Sequence, residues 1–258
     1  MKGKLQPKVA LVSLLVSSDR KQNFSRSMQI VERCHNEGCG LVIFPECALT
    51  GLPTEQYESD IKLAVEIPGE MTTAIGAFAE SHNLYIAIGL LEKEYERLYD
   101  TAILFNNRGK IILKYRRINP QWHSRGVPKD LYMEGSTFTA VSTPFGKIGF
   151  AICGDMWDKQ VISMIQKAKP CYLIIPMDRC FENQTYDQDR WEKEEKLAYT
   201  QQVAKIGITS FLVNSFETME EGASFGGSLV VSADGEILRQ SRIGKPSILF
   251  YELPNKSQ

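Results

Sequence analysis

The stretch Lys147–Trp157 reads Lys-Ile-Gly-Phe-Ala-Ile-Cys-Gly-Asp-Met-Trp. An apolar, strand-like run stops at Cys153, Gly154 lets the backbone turn, and helical periodicity opens near Asp158. A strand that passes through a tight turn into a helix is the building step of an α/β fold. The first half holds a counterpart, in which the buried run Leu41–Phe44 ends at Pro45 and Glu46.

Working outward from these two junctions, the pattern predicts a strand over Lys8–Leu14 and a helix over Asn23–Asn36, closed by Gly38 in a left-handed cap. A second helix is expected over Thr72–His82 and a strand over Leu84–Leu90. The runs Thr101–Phe105 and Lys110–Arg116 flank Asn-Asn-Arg-Gly, a turn signal that makes them a hairpin. The second half repeats the order. Phe138–Ser142 and Lys147–Ile152 form a hairpin, Asp158–Lys169 a helix, Cys171–Ile175 a strand, and Asp189–Ile206 a long helix. Then come the strand Thr209–Val213, the hairpin Ser228–Ser232 with Glu236–Arg239, and a last strand Ser247–Tyr251. Two such halves predict two mixed sheets packed face to face with helices outside, a four-layer αββα sandwich. No Pro-, Gly- or Ser-rich linker divides them, so residues 1–258 are read as one domain.

With 30 basic against 31 acidic residues the net charge is -1, and no block of like charges offers a footprint for nucleic acid or an anionic membrane. The apolar run Val9–Val16 is too short for a secretory signal, and no run approaches the roughly 20 residues of a membrane span. A cytoplasmic protein is expected. Six cysteines in 258 residues make no disulfide scaffold. Cys34, His35 and Cys39 lack a second ligand pair at zinc spacing, so no metal site is expected.

Three residues could carry chemistry. Cys153 lies at the carboxyl end of a strand and near a helix N-terminus, where amide dipoles favour thiolate; the bland alternative is a buried core cysteine. Glu46 emerges at a strand end beside apolar walls, where poor solvation suits a carboxylate to act as a general base; it could equally be a solvated loop carboxylate. Lys114 follows Ile111, Ile112 and Leu113, so it could point into an enclosed space and seek Glu46 or a developing oxyanion; the commoner use is a lysine guarding a sheet edge. If Lys114 does not hold the oxyanion, Arg116 and Arg117 are the next residues to examine.

Together these segments resemble the nitrilase superfamily of carbon–nitrogen hydrolases, whose catalytic glutamate, lysine and cysteine follow one another in this order. The matching motifs are Leu41–Gly51, Gly109–Arg117 and Thr143–Asp155, with a further likeness at Gly226–Ser228 and Asp234–Glu236. The resemblance runs from about Lys8 to Leu253. It implies an αββα sandwich that dimerises through helices, no metal or organic cofactor, and the triad Glu46, Lys114, Cys153. Two positions depart from the family. The second glutamate expected about seven residues before Gly135 is Pro128, for which Asp130 or Glu134 could substitute. The Arg-Ala-x-Glu-Asn pattern of the long helix reads Ala198–Gln202.

The chemistry implied is acyl transfer from a small amide through a Cys153 thioester, with Lys114 and a backbone amide near Gly154 holding the oxyanion. An N-carbamoyl amine hydrolase, a nitrilase and a stand-alone glutaminase-like protein are alternatives within the class; a non-catalytic binding or assembly protein on the same fold is the alternative outside it. Asp178 and Arg179 follow the strand expected beside Cys153 and are candidates for reading a charged end of the substrate, with Trp122, Met156 and Trp157 as apolar walls.

Overall fold

The computed structural model describes residues 7–183 and 185–254. The first half runs β1 (Lys8–Ser13), α1 (Arg20–Asn36), β2 (Leu41–Ile43), α2 (Tyr57–Leu63), β3 (Val65–Glu66), α3 (Glu70–Ser81), β4 (Tyr85–Glu94), β5 (Arg97–Phe105) and β6 (Ile111–Arg116). The second runs β7 (Ala140–Thr143), β8 (Gly146–Phe150), a 3-10 turn (Cys153–Trp157), α4 (Lys159–Ala168), β9 (Tyr172–Met177), α5 (Gln188–Arg190), a π turn (Trp191–Glu195), α6 (Lys196–Ile206), β10 (Ser210–Asn214), β11 (Ser228–Val231), β12 (Ile237–Gln240) and β13 (Ser247–Glu252). One sheet is ordered β13-β1-β2-β4-β5-β6, with β3 on β4; the other is β12-β11-β10-β9-β8-β7. Each mixes a parallel centre with antiparallel flanks.

The period-2 alternation of strand side chains explains the layers. Val9, Leu11, Leu41 and Ile43 face inward and meet Ile148, Phe150, Ile174, Phe211 and Val213 of the other sheet. Their neighbours Ala10, Val12, Val42 and Phe44 face outward onto Val31 of α1 and Ile75 of α3. On the far side, Leu173, Ile175 and Leu212 pack against Val161 and Ile165 of α4 and Val203 of α6. This is the expected four-layer sandwich.

The boundaries moved where caps lie outside the apolar pattern. Helix α1 begins before Asn23 because Asp19 caps it, Oδ1 accepting from the amides of Lys21 and Gln22 at 2.9 and 3.1 Å. The short α2 and β3 carry too little periodicity to be read; their segment is organised by the buried Asp60, which accepts from Thr54, Glu55 and the Tyr132 hydroxyl. Among the described residues no helix is long and apolar enough to cross a membrane.

Gly89 of β4 fixes where the segment after β2 lies. A Cβ there would stand 2.5 Å from the Pro45 carbonyl oxygen, 2.7 Å from the Cys47 nitrogen and 2.8 Å from Glu46 Cα. These are backbone atoms that cannot swing away. Gly89→Ala is expected to cost about 1–3 kcal/mol of stability and to lower the thermal midpoint by several degrees, whereas Gly126→Ala, with nothing nearer than 3.7 Å, leaves it unchanged. Thermal melts of the two variants check this.

Candidate active site

The two junctions that open the sequence reading meet across the sandwich. Cys153 follows β8 as the first residue of the 3-10 turn, with φ at +42° and little exposure. A left-handed backbone at a non-glycine residue is a strained conformation, of a kind that clusters at functional sites. Asp155 holds the turn. Its side chain accepts from the amides of Ile152, Ile118 and Asn119 at 2.9, 3.1 and 2.7 Å and from the Tyr115 hydroxyl at 2.8 Å. The Cys153 turn is thereby tied to the chain leaving β6. Burial pushes the Asp155 carboxyl up to about 6, against those donors.

Glu46 is buried beyond β2. Its Oε2 accepts from the backbone amide of Asp178 at 2.8 Å, and its Oε1 from Arg117 Nη1 at 2.7 Å. Arg117 is also buried; Nη1 lies 3.5 Å from Asp100 Oδ2 and Nε donates to the Asn119 carbonyl at 3.1 Å. A Cβ on Gly154 would come within 2.5 Å of Arg117 Nη2, so the glycine after the cysteine leaves room for the guanidinium. Cys153 lies near enough to Glu46 and Arg117 to influence both electrostatically. Burial, then Cys153 and Asp100, hold the Glu46 carboxyl well above the usual carboxylate range, against the pull of Arg117. Burial opposes the charge on Arg117, but Glu46, Cys153 and Asp100 keep it more firmly protonated than a free guanidinium.

Lys114 is not the cation of this cluster. Along β6, Leu113 and Tyr115 face the inner layer, so Arg117 continues that face while Lys114 and Arg116 point the other way. Lys114 Nζ pairs with the buried Glu92 at 2.8 Å, and Arg116 donates to the same carboxylate at 2.6 and 2.9 Å. The reading of Lys114 as partner of Glu46 is corrected to Arg117.

The substrate candidates separate too. Met156 is fully buried in the outer core, its carbonyl accepting from Gln202, and Trp122 packs with Val127 and Tyr132 beneath the loop after β6, so neither forms an open wall. Asp130 is exposed on a turn, while Glu134 pairs with His123 at 2.9 Å. Trp157 is half exposed, its ring 5.7 Å from that of Tyr199. Asp178 and Arg179 diverge: Asp178 turns inward to the Ser224 hydroxyl, and Arg179 turns toward Glu195 and Tyr199. Sequence reasoning missed Asp100, Asp155, Tyr115 and Asn214. Among the described residues no group of three or more His, Cys, Asp or Glu side chains could hold a metal ion.

Residues 8–257 match the family model of the carbon–nitrogen hydrolases. The chain belongs to that family. Among curated relatives of this carbon–nitrogen hydrolase, it is 25% identical to omega-amidase NIT2 of Mus musculus over 255 residues, covering 95% of this chain and 87% of the relative. It is 25% identical to omega-amidase NIT2 of Homo sapiens over 245 residues, covering 91% and 84%. Its fold superposes on that of Saccharomyces cerevisiae Nit3, a member of branch 10 of the nitrilase superfamily, with a TM-score of 0.78, 24% identity, and coverage of 96% and 90%. For an amidase of the nitrilase superfamily from Nesterenkonia AN1 the TM-score is 0.77, with 16% identity and coverage of 99% and 93%.

If Glu46 takes the Cys153 proton it must be ionised to do so, and its raised carboxyl loses that form as pH falls through a value well above the ordinary carboxylate range. Alkylation of Cys153 should therefore decline on the acid side at unusually high pH. In Glu46→Gln that limb should vanish, leaving only the rise from the thiol's own ionisation. Peptide-resolved iodoacetamide labelling checks this, because the exposed Cys171 and Cys180 also react.

Proposed function

We propose that this carbon–nitrogen hydrolase is an amidase that cleaves a small amide through a Cys153 thioester, with Glu46 as general base and acid and Arg117 as the cation of the site. The observation that carries this reading is the buried Glu46–Arg117 pair at 2.7 Å, set against the Cys153 turn where Gly154 makes room for the guanidinium beside the strained Cys153.

Glu46 takes the thiol proton, and the sulfur attacks the amide carbon. The carbonyl electrons move to oxygen, where the Arg117 guanidinium and the backbone amide at Gly154 receive the negative charge, each such donor being worth about 3 kcal/mol in the transition state. Glu46 returns the proton to nitrogen, the C–N bond breaks and ammonia leaves. Water then gives a proton to Glu46 and attacks the thioester; the thiolate departs, recovers that proton, and the carboxylic acid is released. A guanidinium does not give up its proton in proteins, so every transfer passes through Glu46. In this reading the protein is cytoplasmic, needs no cofactor, and forms a homodimer or higher homo-oligomer. The exposed apolar side chains of Trp157 and Leu197 support such association.

Cys153→Ala is expected to abolish ammonia release with the fold intact, and quenched wild type should carry an acyl adduct on the Cys153 peptide. Substantial residual turnover in the alanine variant would end the assignment. Glu46→Gln and Arg117→Met should each lose several orders of magnitude in kcat, and the double variant much less than the product of the single losses. Lys114→Met should stay within a few-fold of wild type. Ammonia-release assays over short amides, glutamine, carbamoyl amines and nitriles, with a no-enzyme blank, read the turnover of each variant and separate the amidase from its alternatives, and mass spectrometry of the quenched enzyme reads the adduct.

A further inference from the structure

A cavity of about 310 Å³ opens where the chain leaving β1, the segment after Glu46 and the loop after β10 come together. Asp178 joins it to the active site: its backbone amide holds Glu46, and it lines the cavity with Glu217 and Glu221. Neither Cys153 nor Arg179 lines it. Two of the three carboxylates are stranded. Asp178 Oδ1 accepts from the Ser224 hydroxyl, but Oδ2 is buried with no hydrogen-bond partner. Glu217 is only 8% exposed, and among the described residues neither it nor Asp178 has a cation paired with it. A Cβ on Gly222 would overlap Glu217 Oε2, so the chain leaves that carboxylate its room. Burial, then Glu217, holds the Asp178 carboxyl well above the ordinary carboxylate range, and burial raises Glu217 as well. Enclosed carboxylates without a counter-ion are costly, and an incoming cation relieves that cost.

The hydroxyls in the same wall narrow the class of ligand. Ser224 and Ser18 spend their protons on Asp178 and Glu221, and Thr50 and Thr54 spend theirs on the Gly51 carbonyl and Asp60. Only lone pairs remain to them. Among the described residues no lysine, arginine or histidine lines the cavity. Side chains that offer acceptors and negative charge oppose an anion and suit a group that only donates, such as the three N–H bonds of a primary ammonium. Leu52, Pro53 and Leu63 add an apolar side, and the volume exceeds what a bare ammonium ion fills. We propose that this cavity is a binding site for a small primary alkylammonium ion, held by Asp178 and Glu217 and distinct from the site at Cys153. It does not depend on which reaction Cys153 performs.

Calorimetry on the full chain, in phosphate buffer so that no competing amine is present, compares the chlorides of butylammonium, ammonium, tetramethylammonium and potassium. Butylammonium should bind tightest, because ammonium lacks the alkyl chain, tetramethylammonium lacks the N–H donors and potassium lacks both. Glu217→Gln and Asp178→Asn should each weaken butylammonium binding roughly ten-fold or more, as the loss of a hydrogen bond to a charged group does, with the melting temperature as a folding control. A second arm uses wild type alone and so stands even if a buried variant unfolds. Cys180 lines the cavity and is exposed, whereas Cys171 is exposed at the opposite end of β9. Butylammonium should change the iodoacetamide labelling rate of Cys180 and leave that of Cys171 as it was. No saturable binding, tighter or equal binding of any of the other three cations, unchanged affinity in a folded carboxylate variant, or equal labelling effects at the two cysteines would each overturn the site.

Discussion

Burying Glu46 and Arg117 between two sheets takes both charges out of water, at a cost of several kcal/mol for each ion that only close pairing and further hydrogen bonds can offset. The 2.7 Å contact supplies the pairing, and the amide of Asp178 and the carbonyl of Asn119 supply the hydrogen bonds. Asn119 lies two residues beyond Arg117 in the loop after β6, and both Glu46 and Arg117 follow strands of the first sheet, whereas Asp178 follows β9 of the second. The ion pair of the first sheet is therefore tied to the second by the hydrogen bond from Asp178 to Glu46. Its position beside the Cys153 turn follows from the same packing, because Gly154 offers no Cβ to keep the guanidinium away.

Strand ends were the legible part of the site. Leu41–Phe44 and Lys147–Ile152 are apolar runs with abrupt stops, and Glu46 and Cys153 stand just past them; the fold delivered both to the interface between the sheets. The cation was harder to read because the run Ile111–Leu113 hides the strand's parity. The register explains why. Phe105 pairs with Ile111 and Leu104 with Leu113, so Ile112 is an extra residue at an irregularity and only Leu113 onward alternates cleanly. Counted from Leu113, the inward positions are Leu113, Tyr115 and Arg117, and Lys114 belongs outside with Arg116 on Glu92.

Asp178 and Arg179 illustrate a second limit. Adjacent acidic and basic residues invite a reading as one charged pair, yet their chain lies between Glu46 and Asn214, which bind successive peptide units and direct the two side chains apart. Asp155 was invisible for a related reason. Its weight comes from four donors distributed over Ile152, Tyr115, Ile118 and Asn119, none of which a local pattern connects to it. Buried polar networks are assembled by the tertiary fold, and their members look ordinary in the chain.

A guanidinium in place of an amine changes how the site manages charge. A lysine ammonium in such a pocket has a pKa that burial can lower, and its three donors rotate; the arginine fork is planar and holds its proton throughout. Arg117 therefore offers fixed donors to Glu46, Asp100 and Asn119 at once, and its charge stays constant across the ordinary pH range. Proton traffic is left to the acids. Glu46 is held above the ordinary carboxylate range chiefly by burial, with the nearby Asp100 and Cys153 adding to it, so its proton affinity depends on how many negative charges the enclosure holds at that moment. In the proposed reaction, negative charge on the Cys153 sulfur would raise that affinity and its consumption in an acyl bond would lower it. On that proposal the carboxyl would be readier to give up a proton once the sulfur had attacked, which is when the departing nitrogen would need one.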